Sequence, residues 1–307
     1  MHGRQPLRIG SRATKLALIQ AREILGAIER EFPDTPVELR EYATPPAGEA
    51  GASVAELERG LQAGEIDIAV HSAKDLPGTL GAGLTLGAVT SRLDGRDALV
   101  TRDGLEALAK LPGGAKVGTS SARRRALVLE LRPDVEVVPM AGSVDERLAR
   151  LEAGEVDGLL LSAAGLKRLG EERRMTCVFD DELFVPAAGQ GMIALEVRQG
   201  EQGEICRALC DKASMDEFAA EREFLARCDL DCVAPAGVRA WVREREIFIK
   251  ALIARSDGKV VHREGRTGPR TMAKLNGKLL AETLLAQGGK DLVAAWKKQQ
   301  AAGATAG

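Results

Sequence analysis

The segment from residue 66 to residue 77, IDIAVHSAKDLP, places a histidine, a lysine and a carboxylate directly after a mostly apolar run. The pattern predicts a buried strand, IDIAV, followed by a loop, HSAKD, and in open α/β sheets functional groups gather beyond the carboxyl ends of the strands. We therefore expect Asp75 to point into a cleft and not into the core. The alternative is a local role, in which Asp75 caps a turn or pairs with Lys74.

The segment GTSSARRRAL, residues 118–127, has the composition of a helix start that binds an anion. Its glycine follows an apolar strand, and a threonine and two serines, Ser120 among them, can cap the helix. Arg123 and Arg124 lie in the first turns, where they oppose the helix dipole and suit a bound carboxylate or phosphate. The alternative interpretation is a solvated basic face of the helix.

Two pairs of cysteines are each spaced four residues apart, Cys206 with Cys210 and Cys228 with Cys232. Four thiols could hold zinc or an iron–sulfur cluster, but the spacing is not that of the usual knuckles and no histidine lies near, so we expect no metal. Cys232 falls in DLDCVAPAG, a predicted loop at a domain edge. A cysteine there can be a nucleophile, a covalent anchor or an unreactive thiol.

The composition excludes several classes of function. The 307 residues carry a formal net charge of −2, so any anion site must be a local cluster, and 3% aromatic residues argue against a nucleic-acid-binding surface. No run of about 18 apolar residues occurs and the N-terminus has no apolar signal segment, so we expect no membrane span. Five cysteines without a secretion signal indicate a reduced, cytoplasmic protein.

The apolar patterns predict three units. Strands and helices alternate as β-α-β-α-β between LRIGS and IDIAVHSA, which implies a parallel sheet with helices on both faces. The same alternation restarts at KVGTSSARRR and predicts a second α/β unit of similar build. After about Ala213, a helix, alternating segments such as RAWVREREIFIKALIA and a closing helix predict a small α+β unit with an antiparallel sheet. The last residues, AAGATAG, are expected to form a flexible tail.

Four blocks, HSAKDLP, GTSSARRR, DGLLLSAAGLKRLG and VPAAGQGMIALEVR, occur in order at matching intervals and resemble the porphobilinogen deaminase family, also called the hydroxymethylbilane synthases. The resemblance extends over nearly the whole chain. It implies two similar periplasmic-binding-protein-like α/β domains that flank a cleft, and a small C-terminal α+β domain. We predict the domain boundaries at residues 1–91 with 191–208, residues 95–187, and residues 212–307, the last unit carrying the cofactor cysteine.

The resemblance also implies an activity and a cofactor. The family, which consists of transferases, joins four molecules of porphobilinogen head to tail, with loss of ammonia, into the linear tetrapyrrole hydroxymethylbilane. The chain grows on a dipyrromethane cofactor thioether-linked to a cysteine, which here matches Cys232 because Pro235 and Gly237 keep the family's spacing behind it. The family's catalytic carboxylate matches Asp75, which can stabilise the positive charge that develops on pyrrole nitrogens.

Further residues match the family's carboxylate-binding positions. Each pyrrole ring carries an acetate and a propionate, so a chain of rings is a polyanion that arginines can pair with. We expect the Arg123 and Arg124 side chains to face the cleft for this purpose. The matches for cofactor binding are Lys74, Ser120, Arg123, Arg124 and Arg147, and those for substrate binding are Arg12, Thr14, Arg147, Arg174 and Gln190.

The chain departs from the family pattern at three places. The family's lid usually has an aromatic residue and lysines, and its places here are taken by Ala50, Ala52, Ser53 and Ala55. Ala141, Gly142 and Ser143 stand where the family usually has Arg-Gly-Asn. Leu230 and Asp231 precede Cys232 where the family has two glycines.

Two other hypotheses remain open beside the four-step synthase. One is a divergent paralogue that makes a shorter or different pyrrole product. The other is a non-catalytic binder of small anions, since two α/β domains around a cleft also describe periplasmic-type solute-binding proteins. In each case we expect a monomer whose partner is a small molecule, without nucleic acid or membrane.

Overall fold

The computed structural model describes residues 5–43 and 52–304. Its strands are β1 (Leu7–Arg12), β2 (Val37–Tyr42), β3 (Ile68–Ser72), β4 (Leu84–Val89), β5 (Asp97–Thr101), β6 (Lys116–Gly118), β7 (Glu136–Val138), β8 (Gly158–Ser162), β9 (Cys177–Val178), β10 (Ile193–Arg198), β11 (Ala236–Arg243), β12 (Glu246–Ala254) and β13 (Val261–Pro269). Its α-helices are α1 (Lys15–Glu31), α2 (Ala52–Gln62), α3 (Ala122–Leu131), α4 (Val144–Glu152), α5 (Ala163–Leu169), α6 (Gly203–Leu209), α7 (Lys212–Cys228), α8 (Ala273–Leu284) and α9 (Lys290–Ala304). Within the described residues, no helix is both long enough and apolar enough to span a membrane.

Two five-stranded sheets share one pattern of strand order and direction. The first has the order β2-β1-β3-β10-β4 and the second β7-β6-β8-β5-β9. In each sheet three neighbouring strands are parallel, and the fourth strand is antiparallel to both of its neighbours. The mixed α/β class with two similar units is therefore confirmed.

The parallel arrangement predicted from the β-α-β-α-β alternation is confirmed for β1, β2 and β3, but the complete sheet is mixed. The chain leaves the first sheet after β4, builds the second sheet, and returns as β10 between β3 and β4. A strand that returns from another unit has no crossover helix to reverse its direction, so it pairs antiparallel with its neighbours. The first unit is thus discontinuous in sequence, and the domain boundaries stay a prediction.

The third unit is an antiparallel sheet of β11, β12 and β13, packed on its buried face against α7, α8 and α9. Alternation along β11 and the first part of β12 predicted this sheet. Near the end of β12 both faces are buried, because Leu252 and Ala254 pack into the core of the second unit. Two elements were not predicted. β13 carries three Gly or Pro residues and several charges that hide its alternation, and α9 extends helix into the predicted flexible tail as far as Ala304.

Helix α1 illustrates how the local sequence sets a buried face. Thr14 caps the helix, accepting a hydrogen bond from the backbone N of Ala17 at 3.4 Å. Apolar residues recur three or four positions apart, so that Ala21, Ile24 and Ile28 all pack into the core of the first unit. This packing holds the end of β1, and with it Arg12, next to the end of β3.

A buried ionic junction joins all three units. Glu221 on α7 accepts hydrogen bonds from Arg92 Nη2 at 2.7 Å, from the backbone N of Gly189 at 2.7 Å and from that of Ala240 at 2.8 Å. Arg92 also donates to Glu217 at 3.1 Å. Because Arg92 and Gly189 lie on the two segments that connect the sheets, α7 is anchored where the chain crosses between them.

A second buried ionic network surrounds Asp97, the first residue of β5. Its carboxylate accepts from Arg123 Nη1 at 2.6 Å, from Arg124 Nε at 2.8 Å and from Gln190 Nε2 at 3.1 Å. Burial by itself would raise the pKa of Asp97, but the charges of the two arginines outweigh it and hold the pKa far below its ordinary value. The network joins helix α3 to the connection between the sheets.

Asp97→Asn should destabilise the protein by about 3–5 kcal/mol near neutral pH, because two buried guanidinium groups lose their counter-charge. A depressed folded-state pKa contributes stability above the ordinary Asp value of about 4, and this stability disappears as the pH falls below that value. The difference between wild type and variant should therefore shrink between about pH 5 and pH 2. Urea unfolding across that range measures it.

Asp134→Asn is the matched control for this experiment. Asp134 also pairs with an arginine, Arg132, at 2.7 Å, but at the protein surface. Its loss should lower the free energy of unfolding far less than the loss of the Asp97 charge, because water screens an exposed ion pair. Equal unfolding midpoints for the Asp97 and Asp134 variants would contradict a structural role for the buried network.

Candidate active site

Asp75 lies just past the carboxyl end of β3, in the single 3-10 turn Ala73–Asp75. Arg12 ends the neighbouring parallel strand β1, so that both side chains emerge at the same edge of the sheet. Arg12 Nη2 donates to Asp75 Oδ2 at 2.9 Å, and both side chains are part-exposed. Asp75 therefore takes its ion pair from Arg12 and not from Lys74.

The predicted boundary between strand and loop is wrong by two residues. His71 and Ser72 belong to β3 and are buried, because they pair with Ala194 and Ile193 of β10. Only Lys74 and Asp75 turn out of the sheet, both half-buried.

A cluster of three cations, here called the cationic cluster, consists of Lys74, Arg124 and Arg147. Burial and the charge of Arg124 lower the pKa of Lys74 to about 8, while Asp75 and Asp97 oppose that shift. Burial and the charge of Arg124 likewise lower the pKa of Arg147. The three cations destabilise one another, and an anionic ligand placed among them would remove that repulsion.

Arg147 is positioned by the start of α4. Ser143 and Glu146 form a reciprocal capping box, and Arg147 Nε donates to the carbonyl oxygen of Gly142 at 2.8 Å. Gly142 has a φ of 110°, which a residue with a side chain rarely adopts. The departure at Ala141, Gly142 and Ser143 thus keeps the glycine and replaces the family's asparagine with another capping residue.

The expectation that Arg123 faces the cleft is wrong. Its side chain is 3% exposed, and Nη1 binds both Asp97 and the carbonyl oxygen of Val185, the latter at 2.9 Å. Arg124 is also buried and forms an ion pair with Asp97. It remains within electrostatic range of Lys74 and Arg147. A buried carboxylate requires nearby counter-charge, and these two arginines supply it.

Gln190 is 1% exposed and belongs to the same network. Its Nε2 donates to the carbonyl oxygen of Gly95 at 2.7 Å and to Asp97 at 3.1 Å, and Arg124 Nη2 lies 3.5 Å from its Oε1. Its amide is therefore occupied by the connection between the sheets.

The remaining predicted residues differ in their exposure and in their contacts. Ser120 is exposed, and the cap of α3 is the next residue, Ser121, which accepts from the backbone N of Arg124 at 3.3 Å. Arg174 donates to Glu152 at 2.6 Å, near the end of α4. Of the lid positions, Ala50 lies outside the described residues, as do the side chains of Ala52 and Ser53, while Ala55 is exposed on α2.

Cys232 is exposed on the loop between α7 and β11. It lines a pocket together with Lys74, Gly78, Arg222 and Asp231. The surrounding protein and the charges of Asp75 and Asp231 raise the pKa of the Cys232 thiol to about 11, whereas Lys74 opposes the shift. The thiol is thus protonated near neutral pH, and Asp75 lies close enough to act on it electrostatically.

The lining of this pocket fits a carboxylate-bearing group joined to a thiol. Cys232 supplies the point of attachment, and Lys74 connects the pocket to the cationic cluster. The other cysteines differ, because Cys206 and Cys228 are buried within helices and burial raises the pKa of each thiol. Within the part of the chain that the structure describes, no group of three or more His, Cys, Asp or Glu side chains is arranged to hold a metal ion.

Sequence reasoning missed two functional neighbours of the site. Asp97 opens an apolar strand, DALVT, and a lone carboxylate at that place is a signal that a buried counter-charge is needed. Arg222 lies on α7, where the helical pattern alone gives no sign that its side chain reaches the loop after Asp75.

Together, the fold and the site define a class of protein in which two mixed α/β units adjoin a basic site and a third unit presents a cysteine to it. The chain belongs to the porphobilinogen deaminase family, a family of transferases. Residues 7–205 match the model described as "Porphobilinogen deaminase, dipyromethane cofactor binding domain", and residues 215–286 match its C-terminal domain. The family predicted from the sequence blocks, and the cofactor that goes with it, are thereby confirmed.

Relatives match over nearly their whole length. The porphobilinogen deaminase of Roseiflexus castenholzii is 41% identical over 95% of this chain and 99% of its own, and that of Deinococcus radiodurans is 37% identical over 94% and 97%. Among solved structures, a nutrient binding protein from Burkholderia cenocepacia bound to methionine has a TM-score of 0.44 at 11% identity, covering 66% of this chain and 89% of its own.

Arg147→Leu and Arg123→Leu should separate binding from stability. Arg147 is half-buried and holds one carbonyl oxygen, so its loss should reduce kcat/KM by the equivalent of about 2–5 kcal/mol while the fold remains. Arg123→Leu leaves Asp97 short of a counter-charge and should instead destabilise the protein by about 3–5 kcal/mol. Steady-state kinetics and urea unfolding on the same samples measure both. Wild-type activity of the Arg147 variant would exclude it from the site.

Proposed function

We propose that this protein condenses four porphobilinogen molecules head to tail, with loss of ammonia, into hydroxymethylbilane. The observation that carries the proposal is that Asp75, held by Arg12, acts electrostatically on both Cys232 and the cationic cluster. A covalent anchor, a fixed carboxylate and a set of carboxylate-binding cations therefore share one site, which is the combination that this reaction requires.

The cationic cluster is proposed to bind the acetate and propionate groups of the pyrrole rings. Lys74, Arg124 and Arg147 each have their pKa lowered by burial, and their mutual repulsion favours an anion. Arginine pairs with carboxylates in a bidentate geometry, which fixes the orientation of the ring as well as its position. A protein with a net charge of −2 can hold a polyanion in this way because the positive charge is concentrated locally.

Asp75 is proposed to be the catalytic carboxylate. Condensation places positive charge on pyrrole nitrogens, and a carboxylate fixed beforehand stabilises that charge without reorganisation. The bond from Arg12 holds one oxygen of Asp75 in place. The same carboxylate can accept hydrogen bonds from pyrrole N–H groups.

Cys232 is proposed to carry the dipyrromethane through a thioether. When bound, this group supplies the free α-carbon from which the chain of rings grows. The raised pKa of the thiol favours the protonated form, so that the cysteine stays unreactive toward other electrophiles until its site is filled. Asp231, which accepts from the backbone N of Val233 at 3.2 Å, shapes the loop that presents the sulfur.

The other predicted residues are assigned two kinds of role. Arg12, Thr14, Ser120 and Arg174 are proposed to line the path of substrate carboxylates, since they lie at exposed or part-exposed positions. Arg123 and Gln190 are proposed to act indirectly, by holding Asp97 and Arg124 in place.

We further propose domain boundaries at residues 1–91 with 191–208, 95–187 and 212–307, and a cytoplasmic monomer that binds no nucleic acid. The two five-stranded sheets and the antiparallel sheet support these boundaries, because the strands of each proposed unit pair only within their own sheet. The small net charge and low aromatic content support the absence of a nucleic-acid partner.

Cys232→Ser should abolish the covalent cofactor. Native protein should be heavier than the polypeptide by two pyrrole units, and the variant should have the mass of the polypeptide alone. Intact-mass spectrometry measures both, and Cys228→Ser, at the other end of the four-residue spacing, is the control that should keep the adduct. An unmodified native protein, or an adduct that survives at residue 232, would refute the assignment.

Asp75→Asn should slow turnover by about 10²–10³-fold in protein that already carries its cofactor, because a preorganised charge is removed while size is kept. Its melting temperature should change little, since the side chain is part-exposed and its ion pair with Arg12 is also part-exposed. Asp75→Glu should retain more activity. Product formation from porphobilinogen and thermal melts are measured together, and wild-type turnover by the Asn variant would show that Asp75 has no catalytic role.

A further inference from the structure

The loop at residues 73–81, here called the Asp75 loop, is gripped from a different unit of the protein. Arg222 on α7 donates from Nη1 to the carbonyl oxygen of Pro77 at 2.8 Å and from Nη2 to that of Gly78 at 2.5 Å. Its guanidinium carbon lies 5.5 Å from the centre of the Phe218 ring, which faces the same side of the helix. The two terminal nitrogens of one guanidinium group thus donate to the carbonyl oxygens of two consecutive residues.

The end of the Asp75 loop is held by a second anchor. Glu58 on α2 accepts a hydrogen bond from the backbone N of Gly81 through Oε1 at 2.8 Å. Burial raises the pKa of Glu58 and the bond from Gly81 opposes it, with a further rise from the nearby charge of Glu196. The loop is therefore held at Pro77 and Gly78 by Arg222 and at Gly81 by Glu58. Lys74 and Asp75 lie between the end of β3 and the first of these contacts, and both are half-buried.

A buried carboxylate, that of Glu196, lies within electrostatic range of Arg222. Glu196 on β10 is fully buried, and its Oε2 lies 2.9 Å from Nε2 of His71. His71 is the penultimate residue of β3, the strand that leads into the Asp75 loop. Among the described residues, neither of its oxygens nor this nitrogen has a hydrogen-bond partner in good geometry. Burial lowers the pKa of Arg222, and the nearby charge of Glu196 opposes that shift.

Helix α7 also leads directly to the cofactor cysteine. It ends at Cys228, four residues before Cys232, and it is anchored to the sheet connections through Glu217 and Glu221. Arg222, Gly78 and Cys232 line the same pocket. One helix thus carries the arginine that holds the Asp75 loop and continues into the loop that carries the anchor.

We propose that Arg222 is a positioning residue, which ties the Asp75 loop to helix α7 and so sets the distance between the Asp75 carboxylate and the group attached at Cys232. This inference rests on the proposed roles of Asp75 and Cys232. A guanidinium group that binds two carbonyl oxygens restrains the loop in two directions, and the ring of Phe218 lies against the same guanidinium. Displacements of about 1 Å in a reacting group can cost about 10²-fold in rate, so such a restraint matters for chemistry.

Arg222→Met tests the proposal, because methionine keeps much of the length and loses both hydrogen bonds and the charge. The holoenzyme should keep its covalent adduct and lose about tenfold to hundredfold in kcat, with a smaller change in KM. Hydrogen–deuterium exchange should become about tenfold or more faster in peptides that cover residues 73–81. Arg222→Lys, which keeps the positive charge but lacks the guanidinium fork, should lie between wild type and Arg222→Met in both measurements.

Arg132→Met is the matched control. Arg132 also grips two carbonyl oxygens, those of Leu108 at 2.8 Å and Leu111 at 3.0 Å, but in the second unit away from the pocket. Its substitution should lower stability while kcat stays within about twofold of wild type. Equal kcat values for Arg132→Met and Arg222→Met, or unchanged exchange in residues 73–81, would overturn the proposal.

Two further outcomes are decisive. If Arg222→Met does not fold, Arg222→Lys decides, because wild-type kcat and wild-type exchange in that variant would show that the fork has no positioning role. If Asp75→Asn turns over like wild type, the proposed role of Asp75 fails, whereas faster exchange of the loop in Arg222→Met would still show that Arg222 holds it. The two failures are therefore distinguishable.

Discussion

The charge on Asp97 is the constraint on which the rest of the site depends. A carboxylate buried at the start of β5 requires counter-charge, and Arg123 and Arg124 both provide it from the first turns of α3. This fixes the helix against the sheet and places Arg124 beside Lys74 and Arg147. Arg123 therefore has a structural role, whereas Arg124 has the same structural role and also contributes its charge to the cationic cluster.

The same logic places the third unit. Glu221 accepts hydrogen bonds from Arg92 and from two backbone N–H groups. Arg92 lies on a segment that connects the two sheets, so α7 is tied to that segment. From this helix Arg222 reaches the Asp75 loop, and the chain continues to Cys232. Buried ionic contacts and shared apolar contacts, such as those of Leu252 on β12 with the core of the second unit, thus align the three units. The alignment brings Lys74 and Cys232 into one pocket, with Asp75 within electrostatic range of the thiol.

Charge repulsion within the site is the counterpart of this alignment. The cationic cluster is held together by packing and by Asp97, although each member makes the charged form of its neighbours less favourable. Asp75 offsets part of this repulsion, and bound carboxylates would offset more. A growing chain of pyrrole rings adds two carboxylates per ring, so the site is suited to a ligand whose negative charge increases as the reaction proceeds.

Local sequence determined the helices, the caps, the strand before Asp75, the loop that carries Cys232 and the blocks that indicate the family. These depend on apolar periodicity and on contacts between residues a few positions apart, which a single segment contains. Only the tertiary structure decided that β10 returns antiparallel, that Arg123 is buried against Asp97, and that Arg222 holds the Asp75 loop. Those contacts join residues 26 to 145 positions apart, and many pairings of opposite charges satisfy the sequence equally until packing selects one.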